Sequence, residues 1–331
     1  MAASKKNKPK AKKKGGRRGL KVLLVFLLIT GLTAVIFVSV NQLQKALTLA
    51  KTVEVQPNAT FGGPGTQVGA FQQPWALAVD SKGDLVASDF SAHRIQKFDP
   101  SGKLLFSIGK EGKGPGEFNQ PSGIYIGEDD DIYVCDTFNY RIQKFDSKGH
   151  FLKSWEHSFY GPKGIMGNGQ GKIYVVDTGN HKVQVFDKDG DFLKEWGGNG
   201  SEAGKFKEPI GGVVDAQGFV YVADTDNLRV QKFDPEGKPL ASFKIQTWKG
   251  KNYETPYLAL GGGFLWVTNT SEGSVLKFTL QGKLAAIYKA KGGGFSDPSG
   301  VAVGLDGQVY VTERNTGKIQ RFMPPAAPAS R

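Results

Sequence analysis

The hexapeptide RIQKFD occurs at Arg94–Asp99 and again at Arg141–Asp146, then returns loosened as KVQVFD at Lys182, RVQKFD at Arg229, SVLKFT at Ser274 and KIQRFM at Lys318. The phenylalanines of these copies, Phe98, Phe145, Phe186, Phe233, Phe278 and Phe322, stand 47, 41, 47, 45 and 44 residues apart. Between copies the chain reads as short strands closed by turns. In the stretch 121–151 these are Gly123–Ile126, Ile132–Asp136 and Arg141–Asp146, separated by GEDDD and TFNY and followed by SKGH. Runs this short, rich in β-branched and aromatic residues, are strands rather than helices. A period near 45 built from strands alone predicts a β-propeller, in which each unit buries its apolar faces against its neighbours.

A second pattern says how the ring closes. GGPGTQVGAF at Gly62–Phe71 shares G-x-x-G-x-x-x-G-x-F with GKEGKGPGEF at Gly109 and GGNGSEAGKF at Gly197, where it follows a fourth strand and leads into the next repeat. The first copy has no complete repeat before it, and the last repeat ends in RFMPPAAPASR with no fourth strand. Residues 53–61 are therefore predicted to be the outer strand of the last blade, so that no strand edge is left open in the circle.

The copies of P-x-G-(apolar strand)-D-x-x-G-x-(I/V)-Y-V-x-D-T-x-N-x-R-(I/V)-Q-x-F-D resemble the NHL repeat over about residues 53–323. The match is strong in blades 2, 3 and 4, fair in blades 1 and 6, and weak in blade 5, where TNTSEGSVLKF lacks the Asp, Asn and Arg. The resemblance implies an all-β fold, a six-bladed β-propeller of NHL repeats with four antiparallel strands per blade. It implies no single activity, because propellers host enzymes, adhesion modules and scaffolds alike.

Charge is concentrated at one end. The chain carries a formal +12, yet ten of its 43 lysines and arginines fall within residues 1–21, which hold no acid, leaving 33 basic against 31 acidic residues. The repeats are thus nearly neutral and lack the basic excess that a phosphate backbone requires, so no nucleic-acid partner is expected. The basic tail 1–21 is expected to be disordered. After it, Val22–Val40 is 19 residues without a charge, enough to cross a hydrocarbon layer of about 30 Å as one transmembrane helix. That run exceeds a signal-peptide core and lacks a small-x-small cleavage site at its end, so an uncleaved anchor is expected. Positive charge on its N-terminal side puts the N-terminus in the cytoplasm and the propeller outside, in a periplasmic or extracellular space. A stalk at 41–52 and a C-terminal tail at 324–331 complete the plan.

Several motifs suggest chemistry and read better as structure. Asp89, Asp136, Asp177 and Asp224 end the second strands, with Asn139, Asn180 and Asn227 three residues after the last three; an Asp there accepts backbone N–H groups of a tight turn. No G-K-S/T follows the glycine-rich connectors, so they are turns rather than phosphate loops. DKDGD at Asp187 lacks the closing Glu of a calcium loop, Gly198 standing at its twelfth position. The acidic run Glu128–Asp131 reads as a solvated turn tip, and Cys135, the single cysteine, as a buried small side chain. Asn58, Asn199 and Asn269 fit N-x-S/T and would face outside.

Strand direction places the second-to-third loops on one face with the blade-to-blade connectors. The residues there that break the repeat are the ligand-binding candidates: Phe90, His93, Phe138, Tyr140, His157, Tyr160, His181, Trp248, Tyr253 and Arg314, with Lys249 beside them, whereas His150 falls on the opposite face. Related propellers include metal-dependent lyases and lactonases. In the NHL-like amidating lyase, zinc-binding histidines lie beside the Pro-x-G strand starts, but the positions here are Trp75 and Ala76, Ser122 and Gly123, Lys163 and Gly164, Ile210 and Gly211, Tyr257 and Leu258, and Ser299 and Gly300. No cofactor is expected. The function this supports is a membrane-anchored platform binding a protein, peptide or cell-envelope ligand. The alternative is a metal-dependent enzyme, lyase or lactonase-like hydrolase, with His157, His181 and Asp177 as the ligand set at the short connector between blades 2 and 3.

Overall fold

Ile132–Asp136 is buried along its whole length, as are Leu85–Asp89, Val220–Asp224 and Val309–Glu313. Strands covered on both faces need a neighbouring sheet on each side, and a closed ring supplies one to every member. The computed structural model, which describes residues 50–250 and 255–325, forms that ring from six sheets, five of four strands and one of five. Blade 2 is typical, with Pro121–Ile126, Ile132–Asp136, Arg141–Phe145 and Phe151–Trp155 paired antiparallel in chain order. The expected tail 1–21 and span Val22–Val40 lie outside the described residues, as do the stalk up to residue 49 and the C-terminal tail from 326. Among the described residues no helix is long and apolar enough to cross a membrane.

The Pro-x-Gly strand starts are explained by crowding at the axis. A Cβ on Gly123 would sit 2.6 Å from the Lys163 carbonyl oxygen, one on Gly211 2.5 Å from that of Pro256, and one on Gly300 2.7 Å from that of Trp75. Only glycine allows adjacent inner strands to approach so closely. Hydroxyl groups then lace them together. Ser88 donates to the Ser122 carbonyl (2.7 Å), Thr137 to Pro162 (3.0 Å), Thr178 to Pro209 (2.7 Å), Thr268 to Ser299 (2.6 Å) and Ser299 to Trp75 (2.5 Å). Each bond runs from one blade to the next.

A buried clasp joins the connector to the blade it feeds in blades 1, 2 and 4. The Asp136 carboxylate, fully buried, accepts the Asn119 N–H (2.7 Å), Asn139 Nδ2, the Arg141 guanidinium (2.7 Å) and Gln143 Nε2 (3.0 Å). Arg141 in turn donates to the carbonyls of Lys113, Gly114 and Glu117 in the glycine-rich connector. Arg94 and Arg229 make the same set, to Thr66, Gln67 and Ala70 and to Glu202 and Lys205. Blade 3 departs from this. Its six-residue-shorter connector lacks the glycine loop, and Lys182 stands where blades 1, 2 and 4 have Arg, pairing with Glu195 at 2.5 Å instead. In five blades a connector phenylalanine packs on the third-strand one: Phe71 on Phe98, Phe118 on Phe145, Phe159 on Phe186, Phe206 on Phe233 and Phe295 on Phe322, with centroids 5.5–5.8 Å apart.

The N-terminal segment divides into two strands, β1 (Lys51–Val55) and β2 (Ala59–Gly62). Strand β2 pairs antiparallel with Lys318–Phe322 as the fourth strand of blade 6. Strand β1, which falls across the boundary of the expected stalk and closing segment, instead joins blade 5 as a fifth strand parallel to Leu284–Ala290. The reason is visible in KTVEV: Val55 is buried among Tyr288, Phe295 and Phe322 between blades 5 and 6, with Val53 packed beside it. The acidic tip also differs from expectation. Asp130 accepts the backbone N–H and hydroxyl of Ser81 in blade 1 (2.9 and 2.7 Å), tying blade 2 to blade 1, and Asp131 pairs with Lys144 of its own blade at 2.8 Å.

Removing one partner of a buried ion pair costs about 3–5 kcal/mol. Arg141→Ala is expected to lose that much in urea unfolding, and Lys182→Arg to gain nothing, because its connector offers no carbonyl cradle; a stabilised Lys182→Arg protein would contradict the clasp. The two N-terminal strands separate in the same assay. A chain beginning at Gln56 should lose the burial of Val55, about 1.5–3 kcal/mol, and still unfold cooperatively. One beginning at Gly63 also loses Phe61, worth about 3–5 kcal/mol by itself; equal stability of the two would show that β2 does not close the ring.

Candidate loop-face binding surface

The loops between second and third strands begin with a short turn, a 3-10 turn in three blades, and end in a left-handed residue: His93, Tyr140, His181, Leu228 and Gly273, with φ between 53° and 57°. Both of these histidines use the position alike. His93 Nδ1 accepts the Gln120 N–H at 3.2 Å and His181 Nδ1 accepts that of Glu208 at 3.3 Å, each fastening a loop to the residue before the next strand-opening proline. His157 lies elsewhere, its ring stacked on Phe192 (4.1 Å, 12°) and edge-on to Phe186. Asp177 is committed to its own turn, accepting the Tyr160 N–H, Asn180 Nδ2 and Gln184 Nε2, and burial raises its pKa despite those bonds. The three therefore do not converge, and no group of three metal-ligating side chains occurs among the described residues. The same desolvation raises Asp224, and it pushes the Cys135 thiol well above the ordinary range.

Aromatic residues do converge. Trp75, Ala76, Ile210 and Tyr257 meet at the axis as an apolar plug, with Phe90 packed against it. Phe90 stacks on Trp75 (4.3 Å, 20°) and meets Phe138 edge-on at 6.4 Å, making a ridge from the axis outward. Beside it Tyr140 and Tyr160 stack at 5.9 Å and 12°. Phe138, Tyr140 and Tyr160 remain 44%, 42% and 62% exposed, an unusual grouping for side chains of this size. Arg314 lies over the Trp75 ring at 4.9 Å and pairs with Asp297 at 2.8 Å. The Tyr257 hydroxyl crosses to the Lys163 carbonyl at 2.6 Å, and its burial raises the phenol pKa well above the ordinary value.

Trp248 does not belong to this surface. It is 2% exposed, within the core that joins Tyr221, Ala223 and Val230 of blade 4 to Leu258, Leu265 and Phe278 of blade 5. Its irregular place in the repeat reflects a connector that fills an interblade gap with an extra indole. Tyr253 lies outside the described residues. The sequence marks Trp75, Lys163, Ile210 and Tyr257 only as positions lacking histidine; the signal that finds them is that each directly follows the strand-opening proline.

Fold and loop face together define a six-bladed β-propeller. A domain model described as 6-bladed beta-propeller matches residues 81–166, and the NHL repeat matches residues 159–186, 206–233 and 295–322. The chain carries NHL repeats in a six-bladed β-propeller. A 53-residue stretch is 40% identical to Protein brain tumor of Drosophila melanogaster, covering 16% of this chain and only 5% of that protein. Among solved structures, a catalytically inactive virginiamycin B lyase from Staphylococcus aureus with quinupristin superposes with a TM-score of 0.56 at 17% identity, over 79% of this chain and 82% of that one. The hydrazine synthase of Kuenenia stuttgartiensis gives 0.55 at 14%, over 78% and 97%. At such identities the likeness is one of fold.

Burial separates core from surface in a way that mutation can read. Trp248→Ala is expected to cost about 3–5 kcal/mol, whereas Tyr160→Ala should stay within about 0.5 kcal/mol, as surface substitutions do. Chemical denaturation of the two variants checks this, and a reversal of the order would place Trp248 on the surface.

Proposed function

We propose that this protein is an interaction platform held at a membrane by its N-terminal apolar segment, with the propeller outside the cytoplasm and a protein, peptide or cell-envelope ligand bound on the loop face over blades 1–3. The observation that carries the reading is the exposed group Phe138, Tyr140 and Tyr160, continuous through Phe90 with Trp75 at the axis. The buried clasps and hydroxyl lacing have no need of these side chains. Exposed aromatics with rigid rings suit binding, since they offer large contact area for little lost side-chain entropy. The membrane part of the reading is supported by the uncharged run Val22–Val40 and the ten basic residues before it.

Immobilised fragment 51–331 should capture a defined partner from solubilised envelope, and Phe138→Ala with Tyr160→Ala should reduce that capture at least about tenfold while leaving the unfolding midpoint unchanged. Equal capture by the variant would overturn the assigned surface. A reporter fused after Arg331 should be active only outside the cytoplasm; cytoplasmic activity would overturn the topology.

A further inference from the structure

Blade 3 keeps the acid of the clasp and lacks its cation. Asp177 is fully buried, like Asp89, Asp136 and Asp224. Those three pair with an arginine at 2.7–3.2 Å, whereas Asp177 has only the neutral donors Tyr160 N–H, Asn180 and Gln184. Lys182 acts on it through space alone, its ammonium being held by Glu195. Gln184 departs from the repeat in the same place. Gln96, Gln143 and Gln231 each accept a connector N–H on the amide oxygen, from Gly69, Gly116 and Gly204 at 2.7–3.0 Å. The short connector offers no such N–H, and Gln184 Oε1, in a residue 2% exposed, is a buried acceptor without a partner. Blade 6 also has lysine at the arginine's place, Lys318, but there the amide oxygen of Gln320 accepts the Thr60 hydroxyl at 2.8 Å. Among the described residues, only blade 3 leaves the carboxylate without a cation and the amide oxygen without a donor together.

A buried carboxylate without a cation and a buried acceptor without a donor both lower stability. The complete clasps show which group satisfies the carboxylate: an arginine, whose side chain is 8–12% exposed there, so that the slot lies just beneath the loop face. A neutral donor would satisfy Gln184 alone, whereas a guanidinium brings the charge and several N–H groups in one plane. Tyr160 stands at the edge of the slot. Its backbone is fixed, donating to Asp177 and accepting the Gly179 N–H at 2.9 Å, and its exposed ring lies over Gly179, where a Cβ would come within 2.2 Å of it. Such a ring beside a carboxylate is a surface on which a guanidinium stacks. The Lys182–Glu195 pair nearby is itself exposed, and exposed pairs contribute little. We propose that the clasp of blade 3 is completed in trans by an arginine of a partner protein, which stacks on Tyr160, pairs with Asp177 and donates to Gln184 Oε1, its neighbouring apolar side chains lying along Tyr140 and Phe138. This rests on the platform reading above and names the chemistry of what the platform takes.

The test titrates the full chain, in detergent, by calorimetry with a capped pentapeptide, Ala-Phe-Arg-Phe-Ala, and with the same peptide carrying citrulline, which keeps the shape of arginine without its charge. A charge-assisted bond contributes enough that the citrulline peptide should bind about 10- to 100-fold more weakly. Asp177→Asn should abolish that difference; a carboxylate that served folding alone would shift both peptides alike and preserve it. A second arm completes the clasp within the chain. Exchanging Glu156–Ser158 for the nine residues Gly109–Glu117 restores the blade 2 connector, and Lys182→Arg supplies the cation. That protein should melt at a higher temperature and bind the arginine peptide at least about tenfold more weakly. Should Asp177→Asn fail to fold, the second arm and the two peptides decide. Absence of arginine-peptide binding, equal binding of the two peptides, an undiminished preference in Asp177→Asn, or unchanged binding by the chain with the completed clasp would each overturn the proposal. If it fails while the Phe138 and Tyr160 substitutions still abolish partner capture, the platform stands and only the arginine chemistry is wrong; loss of both would remove the platform too.

Discussion

The interaction on which the ring depends is the buried carboxylate at the end of the second strand. With no exposure at all, Asp136 would be severely destabilising unless its lone pairs were filled, and they are filled by a backbone N–H, an amide from the same loop, an arginine and a glutamine. Because the arginine also reaches three connector carbonyls, a single carboxylate organises a turn, a strand and the incoming chain. The repeat spelled D-T-x-N-x-R-x-Q is thus one hydrogen-bonded unit. Its variation is concerted: where the connector loses its glycine loop, lysine replaces arginine and turns outward to Glu195.

Since this network is carried by buried atoms, the residues above it are free to differ. The left-handed loop position is occupied by His, Tyr, His, Leu and Gly in successive blades, a variety that backbone geometry alone does not dictate. At the axis the same freedom appears among the six residues that follow the strand-opening prolines, which carry five different side chains. There the chain has placed an indole, an isoleucine and a phenol as a plug and one lysine at its edge. The metal-ligand set His157, His181 and Asp177 does not assemble, because His157 turns to Phe192 while Asp177 is consumed by its own loop.

Closure of the circle uses the ends of the chain differently from the interior. Strand β2 supplies the missing outer strand, and β1, only three residues before it, has crossed to the neighbouring blade. The pair spans the junction between blades 5 and 6, with Val55 in the core between them. Blade 5 has Asn269 and Ser274 in place of the acid and the arginine, so the added strand reinforces the blade that lacks the clasp.

The sequence by itself determined the number of blades, the strand order and the existence of a closing segment, because period, turn chemistry and the orphan G-x-x-G-x-x-x-G-x-F are local signals that each copy repeats. It also separated the two faces, since strand direction alternates regardless of side chains. Tertiary structure alone decided that Trp248 is core and Tyr160 surface, as both are aromatic residues in irregular connectors and differ only in what packs over them. It alone decided that β1 pairs with blade 5, because KTVEV suits either edge and the neighbouring Tyr288 and Phe322 select one. The axial set was hidden for the same reason: Trp75, Lys163 and Tyr257 stand about 90 residues apart in sequence, and only closure of the ring packs Trp75 with Tyr257 and brings the Tyr257 hydroxyl to the Lys163 carbonyl.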